Sequence, residues 1–188
     1  MFKIKIFILL FIPLSYLSQD LTGEEKKLYN LIMEYRKDNK LKKIPISSSL
    51  TLVAQTHLKD LIHNKPDLKK GNAHSWSNKG NWSSVNYLGY QHQAHYIWDK
   101  PRELTSYKGD GFEIVCGSNK CCSDFVMTAE YALDSWIKST NHNNMIINKK
   151  DFKKTEWKSI GIAIKNGFAV VWFGKEKDKS NGANIWIP

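Results

Sequence analysis

The residues of this sequence best suited to form a catalytic or metal-binding site are its six histidines: His57, His63, His74, His92, His95 and His142. Imidazole exchanges protons near neutral pH and binds transition metals, so a converging pair would form a proton-transfer or metal site. No pair has the His-Glu-x-x-His spacing of a metalloprotease helix. His57 lies on the apolar face of a predicted helix and is interpreted as a satisfied core histidine. His74 and His142 each lie at the mouth of a predicted element, where a side chain can face a cleft.

Three cysteines, Cys116, Cys121 and Cys122, fall in one short predicted loop. In an exported protein such a cluster favours a disulfide. Cys116 could pair with Cys121 or with Cys122, and one thiol is then left over. The spacing lacks the two cysteine pairs of a structural zinc site. A catalytic cysteine is the less favoured alternative, because clustered cysteines in exported loops are mostly structural.

The first 18 residues predict a secretory signal peptide. Two lysines precede an apolar run over residues 6–14, which is too short for a bilayer span of about 20 residues. The alternatives are a buried N-terminal strand and an uncleaved anchor. Residues 19–188 then form one predicted domain, and no second long apolar run predicts a transmembrane segment in the mature chain. We therefore expect a secreted, extracellular protein, or a periplasmic one if the source is bacterial.

The mature chain would carry a net charge of +8, almost all of it from lysine. Such a charge can steer a protein to anionic envelopes, acidic glycans or nucleic acid. The alternative is a solvated, lysine-rich surface without a specific partner. Arg36 and Arg102 are the only arginines, whereas bidentate recognition of phosphates and bases favours arginine. We therefore expect no specific nucleic-acid partner.

The most clearly predicted local structure is a β-hairpin over residues 160–173. Two apolar runs flank Asn166-Gly167, and this dipeptide favours the type I′ turn that matches the twist of paired strands. Both runs are apolar on nearly every residue. We therefore expect both faces of the ribbon to be covered, one of them by a helix.

Three helices and one further strand are predicted around this hairpin. Thr22 and Glu25 form a capping box at the start of the first helix, and a serine run beginning at Ser47 can cap the second. Ser123 can cap a third helix that turns Val126 inward and runs on to His142. Residues 112–115 are typical of a short strand. The rest of the stretch 71–122 mixes aromatic residues with Gly, Asn and Ser, and its rings could pin a long loop or stack on a sugar or lipid ligand.

The order of these features resembles the CAP superfamily, which includes cysteine-rich secretory proteins, venom allergens and plant pathogenesis-related proteins. The resemblance rests on His74-Ser75, the Trp-x-x-Ser-x-x-His run from Trp136 to His142, Ile160-Gly161 and the hairpin's final Phe173-Gly174. It spans residues 24–174, and the bacterial secreted branch is the nearest match. It implies an α+β fold, a three-layer α-β-α sandwich with a central antiparallel sheet, here with an aromatic-rich insertion around residues 75–111.

The same resemblance implies a cleft lined by two histidines and two acidic residues, which in some relatives holds a divalent metal. By position, His74 matches the first histidine, His142 matches the histidine of the bacterial motif, and Glu113 matches one acid. The Gly and Asn that flank this acid in the family are absent. Ser139 stands where many eukaryotic members carry the second acid. The implied ligands are therefore His74, His142 and Glu113, with zinc or another divalent cation as cofactor.

Three functions are consistent with these features. The first is a secreted binding module without turnover, whose ligand is a lipid, a glycan or a protein at a cell surface. The second is a zinc-dependent extracellular hydrolase with a metal-activated water, for which the missing second acid leaves the general base unnamed. The third is a basic, envelope-associated or adhesive protein that uses its positive charge. We favour the first, a binding module without turnover, and the sequence leaves enzyme activity open.

Overall fold

The computed structural model describes residues 21–68, 70–120 and 124–180. Short 3-10 turns connect several of the regular elements. In chain order, these elements are α1 Gly23–Asp38, α2 Ser48–Asn64, α3 Ala94–Trp98, α4 Lys100–Leu104, β1 Gly111–Cys116, α5 Ala129–Lys138, α6 Thr140–Ile146, β2 Ser159–Lys165 and β3 Phe168–Gly174.

The three strands form one antiparallel sheet in the order β1-β3-β2. The predicted hairpin is confirmed: β2 and β3 pair from Ser159 opposite Gly174 to Lys165 opposite Phe168. Asn166 has a φ of 51° in the connecting turn, as a type I′ turn requires. The predicted strand β1 pairs with β3 on its other side, with Glu113 opposite Trp172.

Helices cover both faces of this sheet, as expected from strands that are apolar on both sides. On one face, α2 packs its apolar residues against alternate side chains of all three strands. On the other face, α1 and α5 pack against the remaining alternate side chains. The fold is therefore the predicted α+β arrangement, with helical layers on either side of an antiparallel sheet. Successive side chains of a strand point to opposite faces of the sheet. In β1, Glu113 and Val115 therefore face α2, whereas Phe112 and Ile114 face away from it.

The first two helices begin where their caps predict. The hydroxyl of Thr22 accepts a hydrogen bond from the backbone of Glu25, whose carboxylate accepts one from the backbone of Thr22. Ser47 caps α2 by accepting from the backbone N–H of Leu50. Each cap satisfies N–H groups that a helix start leaves without partners. Both helix starts were therefore fixed by local sequence.

Helix α2 approaches the sheet closely because Gly161 has no side chain. A Cβ at this position would lie 2.0 Å from the carbonyl carbon of Leu50. The backbone of α2 therefore rests directly on β2. This contact fixes how far the side chains of α2 reach over the sheet.

The third predicted helix was wrong at both ends. It begins at Ala129, capped by the hydroxyl of Thr128, and the proposed cap Ser123 lies outside the described residues. Val126 is 71% exposed rather than buried, because residues 125–128 precede the helix. The helix also ends at Lys138: Ser139 has an extended backbone (φ −90°, ψ 112°), and a second helix starts at Thr140.

The aromatic-rich stretch is more ordered than its sequence suggests. It contains α3 and α4, and Trp76 pairs with Val85 through an isolated β-bridge. Lys100 is fully buried and donates from its ammonium to the carbonyl of Ser83 and the carboxylate of Glu103, each over 2.5 Å. A buried ammonium needs such partners. Lys100 thus ties the two arms of the insertion together.

The predictions of a signal peptide and of a disulfide concern residues that the structure does not fully describe. The signal peptide, residues 1–18, lies outside the described residues, and so do Cys121 and Cys122. Cys116 is buried at the end of β1 as a free thiol, so the predicted disulfide is not confirmed. Among the described helices, none combines the length and apolarity needed to cross a membrane.

Candidate functional site

A buried carboxylate with two histidine partners lies between β1 and α2. The Glu113 side chain is only 1% exposed, and each of its oxygens is bound by a different imidazole. Oε1 lies 2.5 Å from Nδ1 of His57, and Oε2 lies 2.8 Å from Nδ1 of His74. We call His57, Glu113 and His74 the His–Glu–His cluster. Such burial of a carboxylate is tolerated because both oxygens are paired.

His57 is the closed end of the cluster. Its side chain is fully buried on α2, and its second ring nitrogen, Nε2, lies 3.0 Å from the carbonyl oxygen of Ser75. A carbonyl only accepts hydrogen bonds, and so does an ionised carboxylate. Both ring nitrogens of His57 must therefore donate. The geometry holds His57 as an imidazolium paired with the Glu113 carboxylate.

The pKa directions agree with this ion pair. Burial on its own would lower the pKa of His57, but the charge of Glu113 and the hydrogen bonds to Glu113 and Ser75 raise it overall. Burial on its own would raise the pKa of Glu113, but the charges and hydrogen bonds of His57 and His74 lower it overall. Each group thus stabilises the charged form of the other.

An aromatic ring closes the remaining face of His57. The indole of Trp76 stacks on the imidazole with ring centroids 4.2 Å apart and an interplanar angle of 8°. The ammonium of Lys100 lies 5.3 Å from the Trp76 ring, within the range of a cation–π contact. Trp76 itself is 2% exposed. The closed end of the cluster is thereby sealed from solvent by residues of the insertion.

His74 is the open end of the cluster. Its side chain is 23% exposed, in a loop fixed by Asn72 and Ser75: Asn72 accepts from the backbone of His74, and the Ser75 hydroxyl accepts from Asn72 and Tyr87. Nδ1 donates to Glu113, so Nε2 is the ring nitrogen left for a ligand, and in the Nδ1-protonated tautomer it is an acceptor. The ring of Tyr87 meets His74 edge to face, with centroids 5.8 Å apart.

His142 lies in the first turns of α6, near enough to His74 for the two to interact electrostatically. Burial and, to a smaller extent, the charge of His74 together lower the pKa of His142 to about 4. His142 is therefore a neutral imidazole near pH 7. Ser139 lies at the junction of α5 and α6, where its side chain makes no capping hydrogen bond. No contact joins Ser139 to the cluster among the described residues.

The described residues do not form a three-ligand metal set. No group of three or more His, Cys, Asp or Glu side chains among them is arranged to hold a cation. Glu113 has given both oxygens to histidines, so it could bind a metal only after releasing one of them. His74 and His142 would then be the available nitrogen donors. The predicted set of His74, His142 and Glu113 stays a prediction.

One cavity of the structure lies away from these residues. It has a volume of about 410 Å³ and lies between the loop after α4 and the segment after β3. Its lining includes three lysines but none of the predicted site residues: Ser106, Tyr107, Lys108, Glu176, Lys177, Lys179 and Ser180. The candidate site is therefore described by its hydrogen-bond geometry, since none of its residues lines this cavity.

His57 is the member of the cluster that its own sequence context does not reveal. Its place on the apolar face of α2 correctly predicts a buried, satisfied histidine. What satisfies it is a strand residue 56 positions away, which no local pattern indicates. Buried polar groups need partners. A polar residue on an apolar helix face, His57, and a polar residue in an apolar strand, Glu113, could therefore have been predicted to pair.

Comparisons with known proteins agree with this architecture. The sequence model of the cysteine-rich secretory protein family, CAP, matches residues 29–168. No curated protein matches the chain by sequence.

Two solved bacterial structures share the fold. An outer surface protein of Borrelia burgdorferi superposes with a TM-score of 0.54 at 20% identity, covering 85% of this chain and 97% of that one. An extracellular protein of Bacillus anthracis that contains an SCP domain superposes with a TM-score of 0.55 at 16% identity. That match covers 82% of this chain and 41% of the longer Bacillus protein. At such identities the likeness concerns the fold.

Proposed function

Because this chain belongs to the cysteine-rich secretory protein (CAP) family, we propose that it is an extracellular binding protein that does not turn over its ligand. The main support for this proposal is that the Glu113 carboxylate has no oxygen free of a hydrogen bond. Both oxygens of this carboxylate are bound by imidazoles, and general-base catalysis needs a group free to take a proton from substrate or water. The cluster is therefore better suited to hold its side chains in one fixed geometry than to take protons from a substrate and return them.

The open end of the cluster favours a ligand that carries a hydroxyl group. Nε2 of His74 is an acceptor, held in place because Nδ1 donates to Glu113. The lowered pKa of His142 keeps this neighbouring imidazole neutral near pH 7, so His142 brings no positive charge to the open end. An imidazole acceptor beside a tyrosine ring suits the hydroxyl of a glycan or of a lipid.

The insertion supplies apolar surface next to this acceptor. Tyr87 contacts His74, and the following residues Leu88 and Tyr90 are 44% and 56% exposed. Gln93 fixes this turn by accepting from the backbone of Leu88. Exposed rings and an aliphatic side chain beside a polar acceptor can stack on a sugar or contact an alkyl chain.

A binding titration tests this proposal. We would follow the His74 side-chain nitrogens by NMR during addition of maltoheptaose, a neutral oligosaccharide, and of dodecanol, a long-chain alcohol. We expect one of these probes to shift the Nε2 resonance. His74→Gln should weaken its binding about tenfold, the value of one lost hydrogen bond at the upper end of the usual range.

His63→Gln is the matched control, because His63 is exposed at the end of α2 and outside the cluster. This variant should bind as the unmodified protein does. Binding that is equally strong in His74→Gln would remove His74 from the site. If neither probe binds at millimolar concentration, the hydroxyl-bearing ligand is the wrong class.

A further inference from the structure

Positive charge is concentrated in two short segments that lie far apart in the sequence. Residues 37–43 contain four lysines and one acidic residue, and residues 149–158 contain five lysines and two acidic residues. Nine of the 26 lysines thus fall within 17 residues. The proposed binding function at His74 uses neither segment.

A single buried arginine joins the two segments. Arg36 is 3% exposed, and its Nε and Nη2 donate to the carbonyl oxygen of Lys42 over 3.2 and 3.1 Å. Its Nη1 donates to the carbonyl oxygen of Ile146 and to the side-chain oxygen of Asn148, over 2.5 and 2.7 Å. Asn148 in turn donates to the carbonyl of Thr155. The structure therefore places both lysine-rich segments on one surface, which we call the basic face.

The charges of the basic face are available to a partner. All of its lysines are exposed except Lys158, which is half-buried. Among the described residues, no lysine of this face forms an ion pair, and the ion pairs of Lys27, Lys100 and Lys138 lie elsewhere. The ammonium of Lys43 lies 5.6 Å from the centroid of the Tyr29 ring. Neighbouring like charges without ion-pair partners repel each other, so an anionic partner would relieve a cost that the folded protein carries.

Two of these lysines occupy backbone positions that disfavour a side chain. Lys40 has a φ of 60° and Lys150 a φ of 51°. Glycine adopts this left-handed conformation without steric cost, whereas residues with a Cβ are uncommon there. The backbone conformation at positions 40 and 150 therefore favours glycine over lysine. What lysine offers there, and glycine does not, is a charged side chain.

We propose that the basic face binds an acidic polysaccharide outside the cell. Lysine ammonium groups on flexible stems suit a chain of spaced negative charges, without the fixed fork that arginine offers to phosphates and bases. Arg36 is buried, and Arg102 is paired with Asp99 and Asp110. No arginine among the described residues is therefore free to read a nucleic acid.

A membrane surface fits the basic face less well than a polysaccharide does. Proteins that lie on anionic bilayers insert apolar side chains among the lipids. The exposed large apolar residues of the described chain all lie outside both segments: Leu52, Leu68, Leu88, Tyr90, Tyr96, Phe125, Val126 and Tyr131. The basic face offers charge without an apolar wedge.

The test measures binding of the purified protein to heparin and to polygalacturonate over a range of salt concentrations. The variant carries Lys40→Gly, Lys42→Gln, Lys150→Gly and Lys153→Gln. We expect its affinity at 0.15 M salt to fall at least tenfold, and the slope of log affinity against log salt to decrease by up to about four, one for each charge removed. Its melting temperature should stay within about 3 °C of the unmodified protein, because glycine suits positions 40 and 150.

The matched control removes four charges elsewhere, as Lys59→Gln, Lys65→Gly, Lys79→Gln and Lys165→Gln. Lys65 also has a positive φ, 49°, so both variants include a glycine at such a position. The control should lose less than threefold in affinity. Equal losses in both variants would overturn the basic face as a site. So would tighter binding to duplex DNA or to phosphatidylserine vesicles than to either polysaccharide.

Discussion

The two ends of the His–Glu–His cluster use the same side chain in opposite ways. His57 is fully buried, with both ring nitrogens donating to fixed acceptors and one ring face against Trp76. His74 is 23% exposed and gives only Nδ1 to the shared carboxylate of Glu113. The closed end therefore contributes to stability, whereas the open end keeps one acceptor for a ligand.

This difference follows from which layer supplies each histidine. His57 comes from α2, whose backbone is pressed against β2 at Gly161, so its side chain cannot avoid the sheet. His74 comes from a loop at the start of the insertion, where side chains reach the surface. Burial and the number of fixed partners, and not residue type, decide whether a histidine is structural or available.

The largest expected effect comes from removing the shared charge. Glu113→Gln keeps the shape of the side chain but leaves the His57 imidazolium buried without a counter-charge. We expect it to lower the free energy of unfolding by about 3–5 kcal/mol, the usual cost of breaking a buried ion pair. Urea denaturation at pH 6 measures this directly.

Glu130→Gln is the control for that experiment, because Glu130 forms an exposed ion pair with Lys27. An exposed pair contributes little to stability because water and salt screen it, so Glu130→Gln should unfold at nearly the same urea concentration as the unmodified protein. A Glu113→Gln cost no larger than that of Glu130→Gln would show that the cluster is not a buried ion pair.

Substitutions of His57 and His74 should lower the free energy of unfolding by different amounts. His57→Gln leaves the Glu113 carboxylate buried with one partner fewer, and we expect it to cost about 2–4 kcal/mol. His74→Gln changes a partly exposed side chain and should cost about 1 kcal/mol or less. Urea denaturation of both variants gives the comparison, and equal costs would contradict the division into a closed and an open end.

The pH dependence of stability is the smallest expected effect. The folded state holds the pKa of His142 near 4, below the 6.5 of an unperturbed histidine, so the unfolded chain binds a proton more readily. Stability should therefore fall as the pH drops from 6.5 towards 4, by on the order of 1–2 kcal/mol after allowance for partial exposure. In His142→Gln this part of the loss should disappear. An unchanged profile in the variant would assign the acid sensitivity to other groups.

The ion pair adds two further contributions to the same profile. The lowered pKa of Glu113 gives stability that is present above pH 4.5 and lost as the pH falls through its folded value. The raised pKa of His57 gives stability that is fully present below pH 6.5 and lost as the pH rises through its folded value. The pair is thus most stabilising between about pH 4.5 and 6.5.

Local signals in the sequence predict much of the fold. The Asn166-Gly167 turn, the capping box of Thr22 and Glu25, and the Ser47 cap each act within a few residues, and each lies where it was predicted. The break at Ser139 was missed, because the apolar spacing that continues through it is satisfied by two successive helices as well as by one.

The candidate site could be predicted only in part. His74 and Glu113 were expected to lie together from the resemblance, and the structure joins them by a hydrogen bond. His57, which closes the site, was predicted to be buried, but its partner Glu113 was not, because the contact between them depends on how α2 lies across the sheet. The same holds for the basic face, whose two segments are joined by the hydrogen bonds of Arg36.

The protonation of His57 tests the central claim most directly. Long-range 1H–15N NMR spectra of the histidine side chains at pH 7.5 distinguish a doubly protonated ring from each neutral tautomer. We predict that both nitrogens of His57 carry protons at this pH, one pH unit above the ordinary histidine pKa, and that Nδ1 of His74, which faces Glu113, carries one. A His57 ring with one bare nitrogen would contradict the buried ion pair, and with it the division of the cluster into a closed and an open end.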